Sequence, residues 1–319
     1  MSVLDIFATI IQATLLTAAP LIFTALGGVF SERSGVVNIG LEGLMLFGAF
    51  TSILTTLMLQ DTLGAVSPWL SILVAAAACA IFSLIHAVAS ITLKADQTVS
   101  GVALNFLAAG LSVFLIKKIF GKGQTDFIQF RINKESIPVL SDIPVIGKIF
   151  FSSVPLTSYI AIIVAFLIWY IIYKTPFGLR LRSVGEHPMA ADTMGINVTR
   201  MRYTGVMLSG LFAGIGGAVY ATSISGNFAG GTISGQGFLA LAAMIFGKWH
   251  PLGALGAALF FGLAQSLSLI GAQIPLLKDI PTIILTIAPY VLTILALAGF
   301  VGRAEAPKAL GTPYEKGKR

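Results

Sequence analysis

The sequence is poor in charged residues and in cysteine. Only 10% of its 319 residues are Asp, Glu, Lys or Arg, whereas 56% are hydrophobic. The 20 basic and 13 acidic side chains are too few to cover the water-facing surface of a soluble protein of this length. The single cysteine, Cys79, excludes an internal disulfide. This composition excludes an extracellular disulfide scaffold, a disordered chain and an ordinary cytosolic enzyme, and it predicts a protein embedded in a lipid bilayer.

Signatures of catalysis and of nucleotide binding are missing as well. No Gly-Lys pair is followed by Ser or Thr, so the chain lacks the phosphate loop of a Walker-type ATPase. The three histidines have no HExxH pattern or cysteine cluster beside them, so we expect no metal site. The net charge of +7 is spread over separate loops, which argues against nucleic-acid binding. We therefore expect a chain that is not an enzyme and binds no cofactor.

Nine apolar segments qualify or nearly qualify as spans, because a hydrocarbon core of about 30 Å needs roughly 20 residues of helix. They cover residues 6–30, 36–59, 69–93, 99–120, 155–173, 204–224, 238–246, 252–272 and 280–301. The seventh is too short to span, and it follows the glycine-rich segment 226–237. This irregularity indicates a half-helix or a tilted helix beside a pathway. The sequence predicts an all-α polytopic membrane protein with about nine transmembrane helices in a single domain, residues 1–303.

The distribution of basic residues predicts the orientation of these helices. No Lys or Arg precedes Arg33, whereas Asp5 precedes the first span, so we expect the N-terminus outside and no signal peptide. Nine crossings then place the loop 174–203 and the basic tail 304–319 in the cytoplasm. The same parity places the loop 121–154 outside. That loop is also basic, but longer loops obey the charge rule less well.

Four polar residues in apolar surroundings are candidates for lining a substrate pathway: Asn38, Glu42, Asn105 and Gln236. Asn38 and Glu42 are four residues apart and would share one face of a helix. An ionised carboxylate facing lipid would cost about 2 to 3 kcal/mol, so Glu42 must face protein or water. It either lines the pathway or packs against Asn38, Arg33 or a backbone amide. Pathway lining and interhelical hydrogen bonding are both open for Asn105.

Small residues recur at helical spacing in two of the predicted spans. The first group lies in residues 210–217, and the second consists of Gly253, Gly256 and Ala257. Such spacing allows helix backbones to approach closely. We therefore interpret both groups as packing contacts before any functional role.

The segment 177–198 is the most specific part of the sequence. Pro188 at a first helical position and Gly195 at a C-terminal cap predict a helix of about two turns, and Glu186 precedes it where the helix dipole favours an anion. Such a helix is too short to be stable without packing. Three residues give it a small apolar stripe that a partner could cover: Ala190, Ala191 and Met194. The helix either docks a soluble subunit or folds back on its own membrane domain.

Three motifs carry a resemblance to a known family. They are Gly-Val-Val-Asn-Ile-Gly-Leu-Glu-Gly at 35–43, the segment 178–198, and Gly247 with Pro251 and Gly253. In order and spacing they resemble the permease subunits of bacterial ABC importers in the ribose and branched-chain amino acid superfamily. The Asn-Ile-Gly-Leu-Glu-Gly form most resembles the nucleoside-uptake branch. The resemblance covers the whole chain except 121–154.

This resemblance implies a permease fold of the second importer type, with nine or ten helices, in the bacterial cell membrane. It implies that the short helix is the coupling helix, seated in a cleft of a separate ABC ATPase that binds ATP and Mg. The residues to which it assigns this coupling role are Gly185, Glu186, His187, Pro188, Ala190, Ala191, Asp192 and Gly195.

The expected function is a lipid-embedded permease subunit that translocates a nucleoside, expected to be a purine nucleoside, delivered by an extracellular lipoprotein receptor. It would pair with a second permease, homologous or identical. One alternative is a simple-sugar permease of the ribose or galactose type. Another is a secondary nucleoside transporter in which Glu42 carries a coupling proton. Substrate cannot be derived from family likeness alone, because pore-facing side chains decide it.

Overall fold

A computed structural model describes residues 3–138, 140–271 and 305–317, together with the isolated positions 284, 287, 291 and 294. Within these residues the chain is helical, and β pairing is limited to the isolated bridges Gln124–Ala229 and Glu135–Val154. The predicted ninth span, 280–301, lies outside the described residues except for those four positions. Arg303, and Lys318 and Arg319 of the predicted basic tail, also lie outside them.

The described residues form eleven α-helices. They are α1 Val3–Arg33, α2 Leu41–Leu63, α3 Ser67–Phe82, α4 Leu84–Ala87, α5 Gln97–Phe120, α6 Leu156–Lys174, α7 Pro176–Glu186, α8 Pro188–Thr193, α9 Val198–Tyr220, α10 Gln236–Phe246 and α11 Pro251–Ile270. A 3-10 turn joins α2 to α3, and single π-helical turns follow α4 and α9 and precede α6. We call α7 and α8 together the elbow.

Six helical stretches of the described chain are long and apolar enough to cross a membrane: Leu4–Arg33, Leu41–Thr92, Gln97–Phe120, Leu156–Lys174, Val198–Ser225 and Pro251–Ile270. The stretch Leu41–Thr92 has 52 residues and contains the second and third predicted spans, which turn at Gly64 with φ +52°. The short seventh segment is α10, with 11 residues. The prediction of an all-helical membrane protein is confirmed, whereas the count of nine helices stays a prediction.

Local side chains determine where several helices begin and end. The Asp96 side chain accepts the Val99 N–H at 2.9 Å and caps the start of α5, as its position in the sequence indicates. The helix ends at Gly121, whose φ of +66° is accessible to glycine at little cost. Asn197 caps α9 in the same way, because its Oδ1 accepts the Arg200 N–H at 2.9 Å.

The connection between α1 and α2, residues 34–40, differs from the prediction; we call it the junction. The sequence pattern predicts helix from residue 36, but α2 begins at Leu41. The reason is local: Asn38 Oδ1 accepts the Gly40 N–H at 3.1 Å, a turn that competes with helix, and Gly35 has φ +89°. Asn38 therefore precedes α2 and does not share a helical face with Glu42, so that interpretation is wrong.

The loops divide between the two ends of the helix bundle. At one end the loop 121–154 pairs with residues 222–229, since the Thr125 N–H donates to the Phe228 carbonyl at 2.9 Å. The Lys148–Asp5 ion pair at 2.6 Å places the start of α1 at this end. The junction, the elbow and residues 305–317 meet at the other end. Because α6 separates the loop from the elbow by 19 residues, the two ends are roughly 28 Å apart.

Close packing of small residues holds the centre of the bundle together. A Cβ on Gly217 would lie 1.8 Å from the Met45 carbonyl oxygen, and one on Gly262 would lie 2.6 Å from the Ala18 Cβ. The predicted contacts within 210–217 are confirmed by this approach of α9 to α2. The second predicted group is wrong at Gly256, because no atom lies within 4 Å of a Cβ built there.

The helical glycines Gly217 and Gly256 give a matched pair of substitutions. Gly217→Ala forces α2 and α9 apart, and we expect it to lower the free energy of unfolding by about 1–3 kcal/mol, as overpacking does. Gly256→Ala meets open space and favours helix, so stability should be unchanged or higher by up to about 1 kcal/mol. Thermal unfolding of the purified protein in detergent measures both. Equal unfolding temperatures would contradict the packing described for Gly217.

Candidate pathway and coupling sites

Glu42 lies in the first turn of α2, and its carboxylate binds the backbone at the start of α10. Oε1 accepts the Gly235 N–H at 2.7 Å, while Oε2 accepts the N–H groups of Gly237 at 2.6 Å and Phe238 at 3.3 Å. The N–H groups at a helix start have no partner inside the helix, and the helix dipole favours a negative charge there. Of the partners considered for Glu42 in the sequence, the structure shows the backbone amides.

The two asparagines also make interhelical hydrogen bonds. Asn38 is fully buried, and its Nδ2 donates to the Ser209 Oγ at 2.9 Å. Asn105 accepts the Gly43 N–H at 2.7 Å through Oδ1 and donates to the Ile39 carbonyl at 3.1 Å through Nδ2. Asn105 therefore connects α5 to the start of α2. Pathway roles for both residues stay predictions.

Gln236 is the first residue of α10, and its Oε1 accepts the Gln265 Nε2–H at 2.8 Å. The glycine-rich segment that leads to Gln236 runs alongside α2. Near its start, Phe228 packs on Phe50 of α2 with ring centroids 5.5 Å apart. Its end lies against Glu42, which is about 12 Å from Phe50 along that helix.

Part of this glycine-rich segment is exposed in the described chain, namely Gly230, Gly231 and Ser234. A Cβ on Gly230 would lie 3.3 Å from the Val113 side chain of α5, and its neighbour Ala229 pairs with Gln124 of the loop 121–154. The segment therefore runs from the loop end of the bundle to Glu42 at the start of α2. Irregular backbone inside a membrane is tolerated only where it is covered by protein or lines a water-filled cavity.

The end of α1 is hydrogen-bonded to the turn between α10 and α11, a contact that the sequence did not predict. The Trp249 Nε1–H donates to the buried Glu32 carboxylate. Arg33 Nε donates to the Trp249 carbonyl at 2.8 Å, and its Nη2 donates to the Lys248 carbonyl at 3.2 Å. Adjacent opposite charges at 32 and 33 beside the Gly35 turn are the one sequence signal for such a site.

The predicted short helix at the elbow is confirmed as α8. It starts at Pro188 and ends in a glycine cap: the Gly195 N–H donates to the Asp192 carbonyl at 2.9 Å, and the Ile196 N–H donates to the Ala191 carbonyl at 3.0 Å. Gly195 has φ +79°, as this cap requires.

The apolar face of α8 differs from the predicted stripe. Ala191 is 4% exposed and packs with Val184 and Val198, so it does not face a partner. Met189 and Met194 are 43% and 81% exposed, and Ala190 is exposed beside them. Ala190 and Ala191 therefore do not both point outward, because Ala191 is turned toward Val184 and Val198.

Two other predicted coupling residues, Gly185 and Glu186, hold the elbow to the rest of the chain. A Cβ on Gly185 would lie 2.2 Å from the Arg33 carbonyl oxygen, so α7 touches the end of α1 with its backbone. The sequence pattern predicts that Glu186 faces the start of α8. Its carboxylate also lies 3.9 Å from the Arg33 Nη1 and accepts the Lys308 N–H at 3.4 Å. His187 precedes α8 and is exposed, and Asp192 is half-buried.

A cleft of 1020 Å³ lies beside the elbow, between α7 and the start of α9. Its walls include Phe177, Arg180, Met194 and Arg200. No local pattern in the sequence predicts this cleft, because it depends on how α7 packs against α9. Among the described residues, no group of three or more His, Cys, Asp or Glu could hold a metal ion.

Two titratable groups lie near this end and outside the spans. Burial, and then the positive charge of Arg33, lowers the pKa of His250. Burial, and then a hydrogen bond with Asp192 and its negative charge, raises the pKa of Tyr314. Both shifts favour the neutral form of the side chain.

A family model for the permease component of branched-chain amino acid transport systems matches residues 10–297, and the chain belongs to that family. It is therefore a multi-pass permease. It is 66% identical over 319 residues to the guanosine ABC transporter permease protein NupQ of Bacillus subtilis, covering 100% of both chains. It is 54% identical over 318 residues to the nucleoside ABC transporter permease protein NupC of Lactococcus lactis, again covering 100% of both.

A more distant relative is the putative glucose ABC transporter permease protein TsgC13 of Haloferax volcanii. Identity is 33% over 335 residues, covering 97% of this chain and 98% of the relative. The matches to NupQ and NupC also include the loop 121–154, which the motif resemblance left out.

The role of Glu42 as an anchor for α10 can be tested by Glu42→Gln. The amide places a donor against backbone N–H donors, and each lost hydrogen bond to a charged group is worth about 1.5–3 kcal/mol. Hydrogen–deuterium exchange at residues 235–238 should therefore accelerate by about tenfold or more. Asp61→Asn, at the exposed far end of α2, is the control and should leave these amides protected. Unchanged exchange in Glu42→Gln would refute the anchoring role.

Proposed function

We propose that this chain is the membrane-spanning permease subunit of an ATP-driven importer that translocates a nucleoside. The observation that carries the proposal is its full-length identity of 66% to a guanosine permease, together with 54% to a nucleoside permease. The putative glucose permease is a more distant relative, at 33%. The nucleoside is therefore favoured over the sugar, and a purine nucleoside is the first cargo to test.

The proposed assembly contains this chain and three kinds of partner. An extracellular lipoprotein receptor delivers the nucleoside, a second permease completes the pathway, and ABC ATPase subunits bind ATP and Mg and hydrolyse the nucleotide. We propose a nine-helix permease fold of the second importer type in the bacterial cell membrane, with the N-terminus outside. Asp5 and residues 305–317 lie at opposite ends of the helix bundle, which supports an odd number of membrane crossings.

We place the ATPase at the elbow. The exposed face of α8, formed by Met189, Ala190 and Met194, offers apolar surface beside the 1020 Å³ cleft. A helix of six residues is too short to move independently of what it packs on, so a force applied to α8 would move α7 as well. The chain itself performs no covalent chemistry in this mechanism. It changes between outward-open and inward-open states that the ATPase favours in turn.

We place the pathway along the glycine-rich segment 226–237. Exposed irregular backbone is excluded from lipid, so we place Gly230 and Gly231 against water or a second permease. Gln236 is partly exposed at the end of this segment. A nucleoside is uncharged, with polar edges and an aromatic face, so exposed backbone amides and a glutamine can bind it weakly while it passes. Weak binding suits release, and affinity would reside in the receptor.

Energy coupling distinguishes this proposal from a proton-driven carrier. In cells that contain the assembled importer, uptake of labelled guanosine should stop when ATP is depleted. It should persist in a protonophore as long as ATP is maintained. Excess unlabelled nucleoside should compete with it, whereas ribose and glucose should not. Uptake that survives ATP depletion and collapses with the protonophore would overturn the proposal in favour of Glu42 as a proton carrier.

The docking site predicts a specific effect of Ala190→Trp. The Ala190 side chain is exposed, so the protein should fold, while the indole blocks the face of α8. We expect ATPase co-purification and uptake to fall by about tenfold or more, equivalent to 1.4 kcal/mol of lost affinity. Ala95→Trp is the matched control, being exposed at the same end but outside α7 and α8. Equal ATPase recovery from both variants would remove the elbow as the docking site.

A further inference from the structure

Residues 305–317 lie across the end of the bundle that carries the elbow; we call them the strap. Backbone hydrogen bonds join the strap to two other elements. The Ala309 N–H donates to the Gly185 carbonyl of α7 at 2.9 Å, and the Gly311 N–H donates to the Gly35 carbonyl of the junction at 3.3 Å. The strap thus bonds to both the elbow and the junction within three residues.

Side chains extend these contacts on both sides. Leu310 packs against the main core, and Tyr314 packs against the cluster of Val184, Ala191 and Val198 that holds α8. Through Tyr314, the strap therefore touches the buried side of the helix on which we place the ATPase. Further along the strap, Lys94 and Glu315 form a surface ion pair at 3.1 Å, which contributes little to holding it.

Arg202 of α9 lies beneath the strap and is 1% exposed. Its Nη1 donates to the Thr312 carbonyl at 2.9 Å, while its Nε and Nη2 have no hydrogen-bond partner among the described residues. Burying a guanidinium with two unpaired nitrogens costs free energy that water would return if the strap lifted. The closed strap is therefore opposed by a buried charge and is suited to open and close.

From these contacts we propose that the strap is a positioning device, which transmits displacement of α8 to the junction and so to α2. This inference rests on the proposed function, because it assumes that an ATPase moves α8. The physical route is continuous: α8 touches Tyr314, the strap bonds to Gly35, and α2 follows the junction. Glu42 at the start of α2 then carries α10 with it. If the strap opened, the ATPase would stay bound, but its ATP hydrolysis would no longer be coupled to transport.

Gly311→Val is the sharpest test. Gly311 has φ +78° and is exposed, and a Cβ there would meet Val37 only at an ordinary 3.6 Å, so the substitution strains the strap backbone without a clash. A left-handed conformation at a non-glycine residue shifts the equilibrium between closed and open strap by about 5- to 30-fold. Gly317→Val is the matched control, with φ +83° and open space around it.

The measurement is nucleoside uptake per ATP hydrolysed by the reconstituted importer, with ATPase recovery measured in parallel. We expect Gly311→Val to lower the uptake-to-hydrolysis ratio by up to that factor and to keep the ATPase, while Gly317→Val matches the wild type. Gly311→Ala, which is less strained, should give a smaller change in the same direction. It also provides the test if the valine variant fails to accumulate.

Each other outcome contradicts a different claim. An unchanged ratio in both Gly311 variants would overturn the strap as a transmitting element and leave the proposed function intact. Loss of the ATPase together with transport would show that the strap only shapes the docking site, which also overturns the inference. Failure of the wild-type chain to recover any ATPase would overturn the proposed function and this inference with it.

Discussion

The carboxylate of Glu42 holds together the part of the structure that could not otherwise exist in a bilayer. A chain that leaves helix inside the membrane must find partners for its backbone N–H groups, because no water is present to bind them. Three such groups precede or begin α10, and the two oxygens of one side chain accept all three. A Cβ on Gly237 would lie 2.4 Å from the Glu42 Cα, so glycine is required for this approach. The position of α10 is consequently tied to that of α2.

The other end of α10 is tied to α1. Arg33 donates to the carbonyls of Lys248 and Trp249, and Glu32 accepts the Trp249 indole N–H. The short helix is therefore attached on both sides of the junction, to the end of α1 and to the start of α2. A change of backbone angle at the junction would therefore move α10, whereas the start of the glycine-rich segment is held by its pairing with the loop 121–154. The proposed pathway segment thus joins a part that follows the junction to a part that does not.

What the sequence predicts well depends on short-range signals. Pro188 and Gly195 define α8 because a helix start and a glycine cap need only neighbouring residues, and the composition alone predicts membrane helices. The partners of Glu42 could not be derived, because the amides of residues 235–238 are nearly 200 positions away along the chain. Which face of α8 points outward depends on the packing of Ala191 on Val184, and no local sequence pattern predicts that packing. Long-range contacts therefore decide the site, while local signals decide the helices.

The attachment of the elbow to the bundle depends more on backbone contact than on charge. Arg33 and Glu186 are 3.9 Å apart with side chains 15% and 40% exposed, so their ion pair contributes little. Gly185, by contrast, places the α7 backbone directly against the α1 backbone, and the Ala309 N–H bonds to its carbonyl. A contact of this kind has no flexible side chain to absorb movement, so displacement of α7 must displace the end of α1. The elbow can therefore act as a rigid lever on the junction, and salt should affect its mechanics only weakly.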